Sequence, residues 1–305
     1  MSIKLSIEAL EVIDAIDRKG SFAAAAESLY RVPSALTYTI RKLEEDLGIN
    51  LFDRSGHRAT LTEAGAELLK EGRYLLDAAQ ALERRVRRVA TGVETDITIA
   101  VSDLFAFGPV LEVLQAFYAQ NFGTRVKLIR EVYGGSWDAL QTGRSDISIG
   151  APGDAPSGGA FGTQLIGQLE FAFAVATHHP LATATAPLSA NEIVQFRAVA
   201  AADSSRNLPP RTSGILSGQD ILTVPDMDTK LQAQINGLGI GYLPRQMALA
   251  AAARGLLVIK AVAEPKPVAP VFIAWRQQRQ SEMGKAMQWL LKAFGQLTFE
   301  QLIAR

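Results

Sequence analysis

The sequence predicts an α+β chain of several domains: an N-terminal winged helix-turn-helix, a long linker helix and a C-terminal α/β domain. Three observations predict it. Within the first sixty residues, two helical patterns meet at a tight turn and lead into a hairpin pattern. A stripe of apolar residues then repeats at heptad spacing. Beyond residue 93, strand-like runs alternate with helical ones, the mark of a mostly parallel sheet. The expected divisions are 1–61, 62–92 and 93–305.

The first helix is read from Ala9, Val12, Ile13 and Ile16, which share one face. Gly20 suits its end, and Ser21 suits the N-cap of a second helix over Phe22 to Leu29. Tyr30-Arg31-Val32 is short enough for a tight turn. Pro33 fits the first position of a third helix, where its missing N–H costs nothing. Leu36, Ile40, Leu43 and Leu47 form that helix's buried face, and Gly48 closes it. Its outer face carries Ser34, Tyr38, Arg41, Lys42 and Glu45. The helices alone also fit a plain three-helix bundle with a solvated charged face. The hairpin favours the winged motif: Leu51 to Arg54 and Arg58 to Leu61 read as short strands around Ser55-Gly56-His57. Arg54, His57 and Arg58 at its tip suit phosphates or a minor groove.

These residues resemble the LysR-type transcriptional regulators. The likeness lies in Gly20 to Leu29, Pro33 to Gly48, Leu51-Phe52-Asp53-Arg54 and Leu61-Thr62-Glu63-Ala64-Gly65, in the family's order and spacing. The resemblance implies double-stranded DNA as a partner, on an operator with two-fold symmetry. The expected DNA-contacting set is Ser21, Pro33, Ser34, Thr37, Tyr38, Arg41, Lys42, Arg54, His57 and Arg58. The family commonly has Gln in place of Pro33 and often Arg in place of Tyr38. Both are suited to bidentate base reading, so base preference is expected to differ here.

Thr62 suits the N-cap of the linker helix, and Gly92 its stop. Leu68, Leu75, Ala79, Leu82, Val86 and Val89 lie on one stripe, the expected dimerisation surface. Gly72 and Ala79 are small enough for a partner helix to come close. The alternative is a helix packed on its own domain. Arg84, Arg85, Arg87 and Arg88 crowd its C-terminal end, where positive charge is favoured. The family links its DNA-binding domains through this helix, which implies a homodimer or homotetramer.

In the remainder, strands are expected at Ile97–Val101, Val126–Arg130, Asp146–Gly150, Phe171–Ala176, Arg197–Ala201, Ile221–Val224 and Val271–Trp275. Helices are expected at Pro109–Ala119, Trp137–Gln141, Leu231–Ile235 and Glu282–Phe294, and a loop at Ala151–Gly162. This order resembles the same family's effector domain, which is like a periplasmic binding protein in two α/β lobes. Asp146 to Ile149, His178 to Ala182 and Gly237 to Pro244 carry the likeness. It implies a first lobe of about 96–165 and 270–305, a second of about 166–269, a late strand that returns to the first, and a cleft between them. Ligands in such sheets favour loops after the strands' carboxyl ends. The expected effector contacts are therefore Ser102, Asp103, Leu104, Phe105, Tyr133, Gly134, Gly135, Ala202 and Asp203. Ser102 could equally cap a turn, and Tyr133 and Trp137 could form a wall or pack in the core.

Composition limits the rivals. Lys+Arg and Asp+Glu are equal at 31, so a DNA reading rests on local pattern and not on net charge. Cysteine is absent, which excludes disulfides, thiolate metal sites and thiol redox sensing. Met1-Ser2-Ile3-Lys4 has no apolar secretion core, and no membrane-length apolar run follows. The expected location is cytoplasmic. An α/β enzyme is the main alternative. His57, His178 and His179 are the only imidazoles, and no phosphate loop, metal cluster or nucleophile elbow occurs. No catalytic residue, metal or cofactor is expected. A plain small-molecule-binding protein would leave the wing and heptad helix unexplained. The expected function is a DNA-binding regulator whose lobes respond to a small-molecule effector.

Overall fold

Ser6 and Ser21 accept backbone N–H groups from Ala9 and Ala24 and so start the first two helices. The computed structural model describes residues 4–53, 60–157, 160–211, 214–277 and 283–303. The helices are α1 (Ile7–Lys19), α2 (Phe22–Ser28) and α3 (Pro33–Leu47). Gly20 ends α1 at φ 71°, a conformation that costs glycine least. Ile13, Ile16, Ala25, Leu36 and Ile40 are buried in one core that joins the three. Ala25 and Ala26 let the helices approach closely, as their small side chains suggest.

A short hairpin follows, with β1 (Phe52–Asp53) antiparallel to β2 (Thr60–Leu61). The Glu44 carboxylate on α3 accepts from the N–H of Leu51 at 2.8 Å and Phe52 at 3.2 Å, tying hairpin to helix. Thr62 then caps α4 (Glu63–Thr91), accepting from Gly65 N at 3.1 Å. Arg73 on α4 donates to Asp14 at 2.9 Å and Asp17 at 2.7 Å on α1. Two glycines let α4 lie against its own domain. A Cβ on Gly65 would stand 2.2 Å from the Leu51 carbonyl oxygen, and one on Gly72 would stand 2.8 Å from Leu10. The expectation that Gly72 makes room for a partner helix is therefore corrected: α1 occupies that space.

Two compact units result, residues 1–90 and 91–305. The second begins with β3 (Asp96–Ser102), α5 (Gly108–Tyr118), β4 (Arg125–Glu131), α6 (Gly135–Gln141) and β5 (Ile147–Pro152). β6 (Phe161–Leu169) and β7 (Phe171–Ala176) follow, then α7 (Ala190–Ile193), β8 (Ala198–Ala201), β9 (Ile221–Val224) and α8 (Met227–Ile235). The chain closes with β10 (Gly241–Pro244), α9 (Arg245–Ala253), β11 (Leu257–Lys260), β12 (Ala269–Arg276), α10 (Lys285–Phe294) and α11 (Phe299–Ile303). One sheet has the order β4-β3-β5-β12-β6. Its β3, β4 and β5 are parallel, and β12 returns antiparallel between β5 and β6. The other lobe holds the sheet β10-β7-β11 and the parallel pair β8-β9.

The late strand thus returns to the first sheet, as the resemblance implied. β6 differs from expectation. The expected loop over 151–162 overlaps its first residues and the last of β5, and the expected lobe boundary at 165/166 falls inside it. β6 pairs with β12 from Phe161↔Arg276 to Leu169↔Ala269, so all of it belongs to the first sheet. Its glycines hid it. A Cβ on Gly162 would meet Trp275 at 2.3 Å, and one on Gly167 would meet Phe299 at 2.6 Å. These glycines are seats for rings, not loop signals. Of the closing helix expected from Glu282, the described part starts at Lys285, and Glu282 lies outside the described residues.

One prediction concerns Gly65. Alanine would ordinarily favour a helix over glycine by about 1 kcal/mol. Here its Cβ meets backbone that cannot rotate away. Gly65→Ala is expected to destabilise the N-terminal unit by about 1–3 kcal/mol. A urea unfolding curve unchanged or moved to higher urea would refute this.

Candidate functional site

α3 turns one face to the core and leaves the other open. Leu36, Ile40 and Leu43 are buried. Pro33, Ser34, Tyr38, Arg41 and Lys42 are exposed or line that open side, and Thr37 is half-buried. Tyr38 is 67% exposed. Thr37 Oγ1 donates to the Pro33 carbonyl at 3.0 Å, so its outward lone pairs can only accept. Ser21 is exposed, but its hydroxyl is engaged as the α2 cap. The structure therefore gathers most of the expected contacts on one helix face. Arg54, His57 and Arg58 lie outside the described residues.

The expected dimer stripe separates into two parts. Leu68 packs against the N-terminal core. Leu75, Leu82, Val86 and Val89 are 50%, 59%, 59% and 77% exposed, and Ala79 is half-buried. Leu69 and Leu76, each one residue on from the stripe, are the buried pair. The helix thus covers its own domain with one edge and presents an apolar edge beside it.

In the second unit, a cavity of about 500 Å³ opens where the chain crosses between sheets. Ser102, Leu104, Tyr133, Phe171, Arg211 and Lys266 line it. The loops expected to meet there do meet, largely by bonding one another. Asp203 accepts from Gly134 N at 3.1 Å, from Arg211 N at 2.7 Å and from Ser205 N at 2.8 Å. Ser204 Oγ accepts from Val132 N at 2.8 Å and donates to Glu131 at 2.5 Å. A Cβ on Gly135 would stand 1.9 Å from Ser204 Oγ, so the glycine admits this approach. Asp103 is 4% exposed and accepts from Met227 N at the start of α8, at 2.9 Å.

Deeper in, Arg144 joins two buried carboxylates, Glu131 at 2.5 Å and Asp138 at 3.0 Å. Asp138 also accepts from the N–H of Asn207 and of Leu208, each at 2.8 Å. Burial opposes its ionisation. The N–H groups of Leu208, Asn207 and Arg206, with the Arg144 guanidinium, outweigh that and hold its carboxyl below the ordinary range. Burial, and then the charges of Asp103 and Asp203, push the Tyr133 phenol above its ordinary range.

Some expected contacts move to other roles. Phe105 is 0% exposed and packs edge-on to Phe299, so it is core. Trp137 is also fully buried, with its indole N–H on the Pro152 carbonyl at 2.9 Å. Ser102 is 2% exposed and accepts weakly from Leu104 N at 3.4 Å, beside the cavity it helps line. Ala202 is half-buried and its N–H bonds the Val224 carbonyl. Arg211 and Lys266 were missed. Arg211 follows a Pro-rich loop and Lys266 sits between prolines, so neither shows a period that would place it. Among the described residues, no helix is long and apolar enough to cross a membrane.

Two family models match. Residues 7–66 match the bacterial regulatory helix-turn-helix protein of the lysR family, and residues 90–297 match the LysR substrate binding domain. The chain is 44% identical over 276 residues to the "Uncharacterized HTH-type transcriptional regulator YeeY" of Escherichia coli (strain K12), covering 90% of this chain and 89% of the relative. It is 35% identical over 286 residues to the HTH-type transcriptional regulator PunR of the same strain, covering 94% and 91%. Among solved structures, full-length CbnR complexed with its target DNA matches with a TM-score of 0.57 at 17% identity, over 95% of this chain and 98% of that one. Full-length AphB, the virulence activator of Vibrio cholerae, matches with a TM-score of 0.53 at 15% identity, over 95% and 98%.

The Asp138 environment has a pH consequence. Its carboxyl titrates below the ordinary value of 3.8. A carboxyl depressed in the folded state contributes stability above its unfolded value, and that contribution is lost as pH falls through the folded value. Asp138→Asn is expected to lose about 1–3 kcal/mol near neutral pH and to flatten the acid limb of a melting-temperature profile below pH 3.8. An acid limb parallel to the parent's would show that Asp138 does not drive that loss.

Proposed function

This chain belongs to the LysR family of DNA-binding transcription regulators with an effector-binding domain, and we propose that it reads a two-fold DNA site as a dimer joined through α4. The observation that carries this reading is the apolar edge of α4, left open on a unit whose α3 face is also open. An uncovered heptad edge is covered best by a second copy of itself. Two copies then offer two identical reading helices, which suits a palindromic operator in double-stranded DNA. Dimers pairing through their effector domains would give the homotetramer. The working location is the cytoplasm, where DNA is at hand.

On this reading α3 enters the major groove. Ser34, Thr37 and Tyr38 read base edges, and Arg41, Lys42 and the wing residues Arg54, His57 and Arg58 hold phosphates. Thr37, already donating within its helix, can accept from an amino group of adenine or cytosine. Pro33 offers no side-chain donor, and Ser21 serves best as a cap whose exposed edge lies near the backbone. The effector lies in the cavity lined by Ser102, Leu104 and Tyr133, beside the mutually bonded loops of Gly134-Gly135 and Ala202-Asp203. A ligand there bears on both lobes at once. It can shift the balance between lobe arrangements only by binding one better than the other.

The deciding experiment selects bound genomic fragments with the purified full chain at two salt concentrations. A recurrent interrupted palindrome with salt-dependent affinity is expected. Arg41→Ala should weaken binding to all sequences and reduce the salt slope by about 1. Tyr38→Ala should instead change base preference by about 1–3 kcal/mol at one position. Identical site profiles for Tyr38→Ala and the parent would remove it from the reading set. Replacing Leu82 and Val86 together by Glu should dissociate the dimer in sedimentation velocity. A double variant that sediments like the parent would refute pairing through α4.

A further inference from the structure

The side of α8 that faces the protein interior consists of Met227, Lys230, Ala233 and Gln234. Lys230 is 4% exposed. Among the described residues it enters no ion pair and its ammonium donates no hydrogen bond. Gln234 is 0% exposed, and neither its Oε1 nor its Nε2 has a partner among the described residues. The two side chains are neighbours. A Cβ placed on Gly241 would lie 3.2 Å from Gln234 Nε2 and 3.7 Å from Lys230 Nζ. Lys266 stands close by, at the wall of the effector cavity, with its ammonium 3.6 Å from the centre of the Phe171 ring. It too has no carboxylate partner among the described residues.

Asp103, Asp203, Asp226 and Glu170 are engaged elsewhere. Asp103 accepts from Met227 N, and Asp203 from three backbone N–H groups. Asp226 accepts from Thr229 N, and Glu170 pairs with Arg245. Burial pushes the Lys230 ammonium down to about 7, and the charge of Lys266 adds to this. Burial alone pushes Lys266 down to about 8. A buried ammonium without a counter-charge, beside an amide with no partner, works against folding, and the half-buried Lys266 adds a second positive charge near it. Such groups cluster at functional sites.

We propose that the effector is a small organic anion whose charged group is received by Lys266, with Lys230 and Gln234 behind it. This rests on the reading of the cavity as the effector site. A cation would be repelled, and a neutral ligand would leave both ammonium groups uncompensated. The apolar part of the cavity wall, with Leu104, Leu169, Phe171 and Val268, suits an anion that carries a hydrocarbon portion. Carboxylate and phosphate heads share the chemistry that these lysines recognise.

The test uses the full chain with hexanoate, hexyl phosphate and the neutral hexanamide, followed by calorimetric titration and thermal melting. At least one of the two anions is expected to bind and raise the melting temperature, and to bind about tenfold tighter than hexanamide. Lys230→Met and Lys266→Met keep the length and remove the charge. Lys230→Met is expected to raise the melting temperature of the unliganded protein, since a buried unpaired charge is gone. Each variant should weaken the bound anion about tenfold and leave hexanamide unchanged. The preferred head, carboxylate or phosphate, identifies the source of the charge. The proposal is overturned if neither anion binds tighter than hexanamide. It is also overturned if Lys230→Met lowers the unliganded melting temperature and both variants leave anion binding intact. Val268→Trp, which fills the cavity, tests the cavity reading separately. If hexanamide binds the parent as well as the anions do and Val268→Trp abolishes all binding, the cavity stands and the anion assignment alone falls. If Val268→Trp binds every probe as the parent does, the cavity reading falls too.

Discussion

Carboxylates that accept from loop N–H and hydroxyl groups hold the effector domain in its described form. Asp103 and Glu131 stand at the ends of first-sheet strands, Asp138 on α6, and Asp203 in the loop that faces them. A carboxylate withdrawn from water needs several donors to remain ionised. The nearest donors are the free N–H groups of the opposite lobe's loops and of the α8 start. Satisfying the acids and positioning the lobes are therefore one event. Arg144 balances the charge of Glu131 and Asp138.

The cavity proposed for the effector follows from that constraint. With the loops of Gly134 and Asp203 bonded to each other, one end of the crevice is filled by the protein itself. The open space lies toward the crossing segments, where Phe171 and Lys266 stand. The site is thus polarised. Its acids are already satisfied, and its lysines are not. A ligand that neutralises the lysines also bears on the crossings at Leu169–Phe171 and Lys266–Ala269, where relative motion of the lobes must be absorbed.

The N-terminal unit is governed by a different use of space. α4 has two adjacent edges with separate tasks. Leu69, Gly72 and Leu76 turn to α1 and its neighbours, and the Arg73 fork to Asp14 and Asp17 fixes that choice. With that edge occupied, the heptad edge of Leu75, Leu82, Val86 and Val89 has no cover within the unit. On the proposed reading, recognition and assembly are separate: α3 faces outward at one place, and the exposed apolar edge of α4 runs along another.

Much of this was legible in the order of residues. Periodicity placed α1 to α4, and the caps Ser21 and Thr62 and the stops Gly20 and Gly48 marked their ends, because these signals act within one turn of helix. The same holds for β3, β4, β5 and β7, whose apolar runs are short and dense. The α3 face could be read because a helix that buries Leu36, Ile40 and Leu43 must turn Ser34, Tyr38 and Arg41 outward. Only the tertiary structure decided the rest. β6 carries glycines that make sense once Trp275 and Phe299 lie on them. Gly72 looked like space for a partner until Leu10 filled it. On α8, only a helix was legible over Leu231 to Ile235, and the fold decided that Lys230 and Gln234 would be buried on it. Asp103 and Phe105 looked like ligand contacts, yet one became a cap for a helix 124 positions away in sequence and the other a core ring. Local signals reach a few residues. Which side chain fills a glycine's space or meets a distant amide is a property of packed surfaces, and these exist only after the chain has folded.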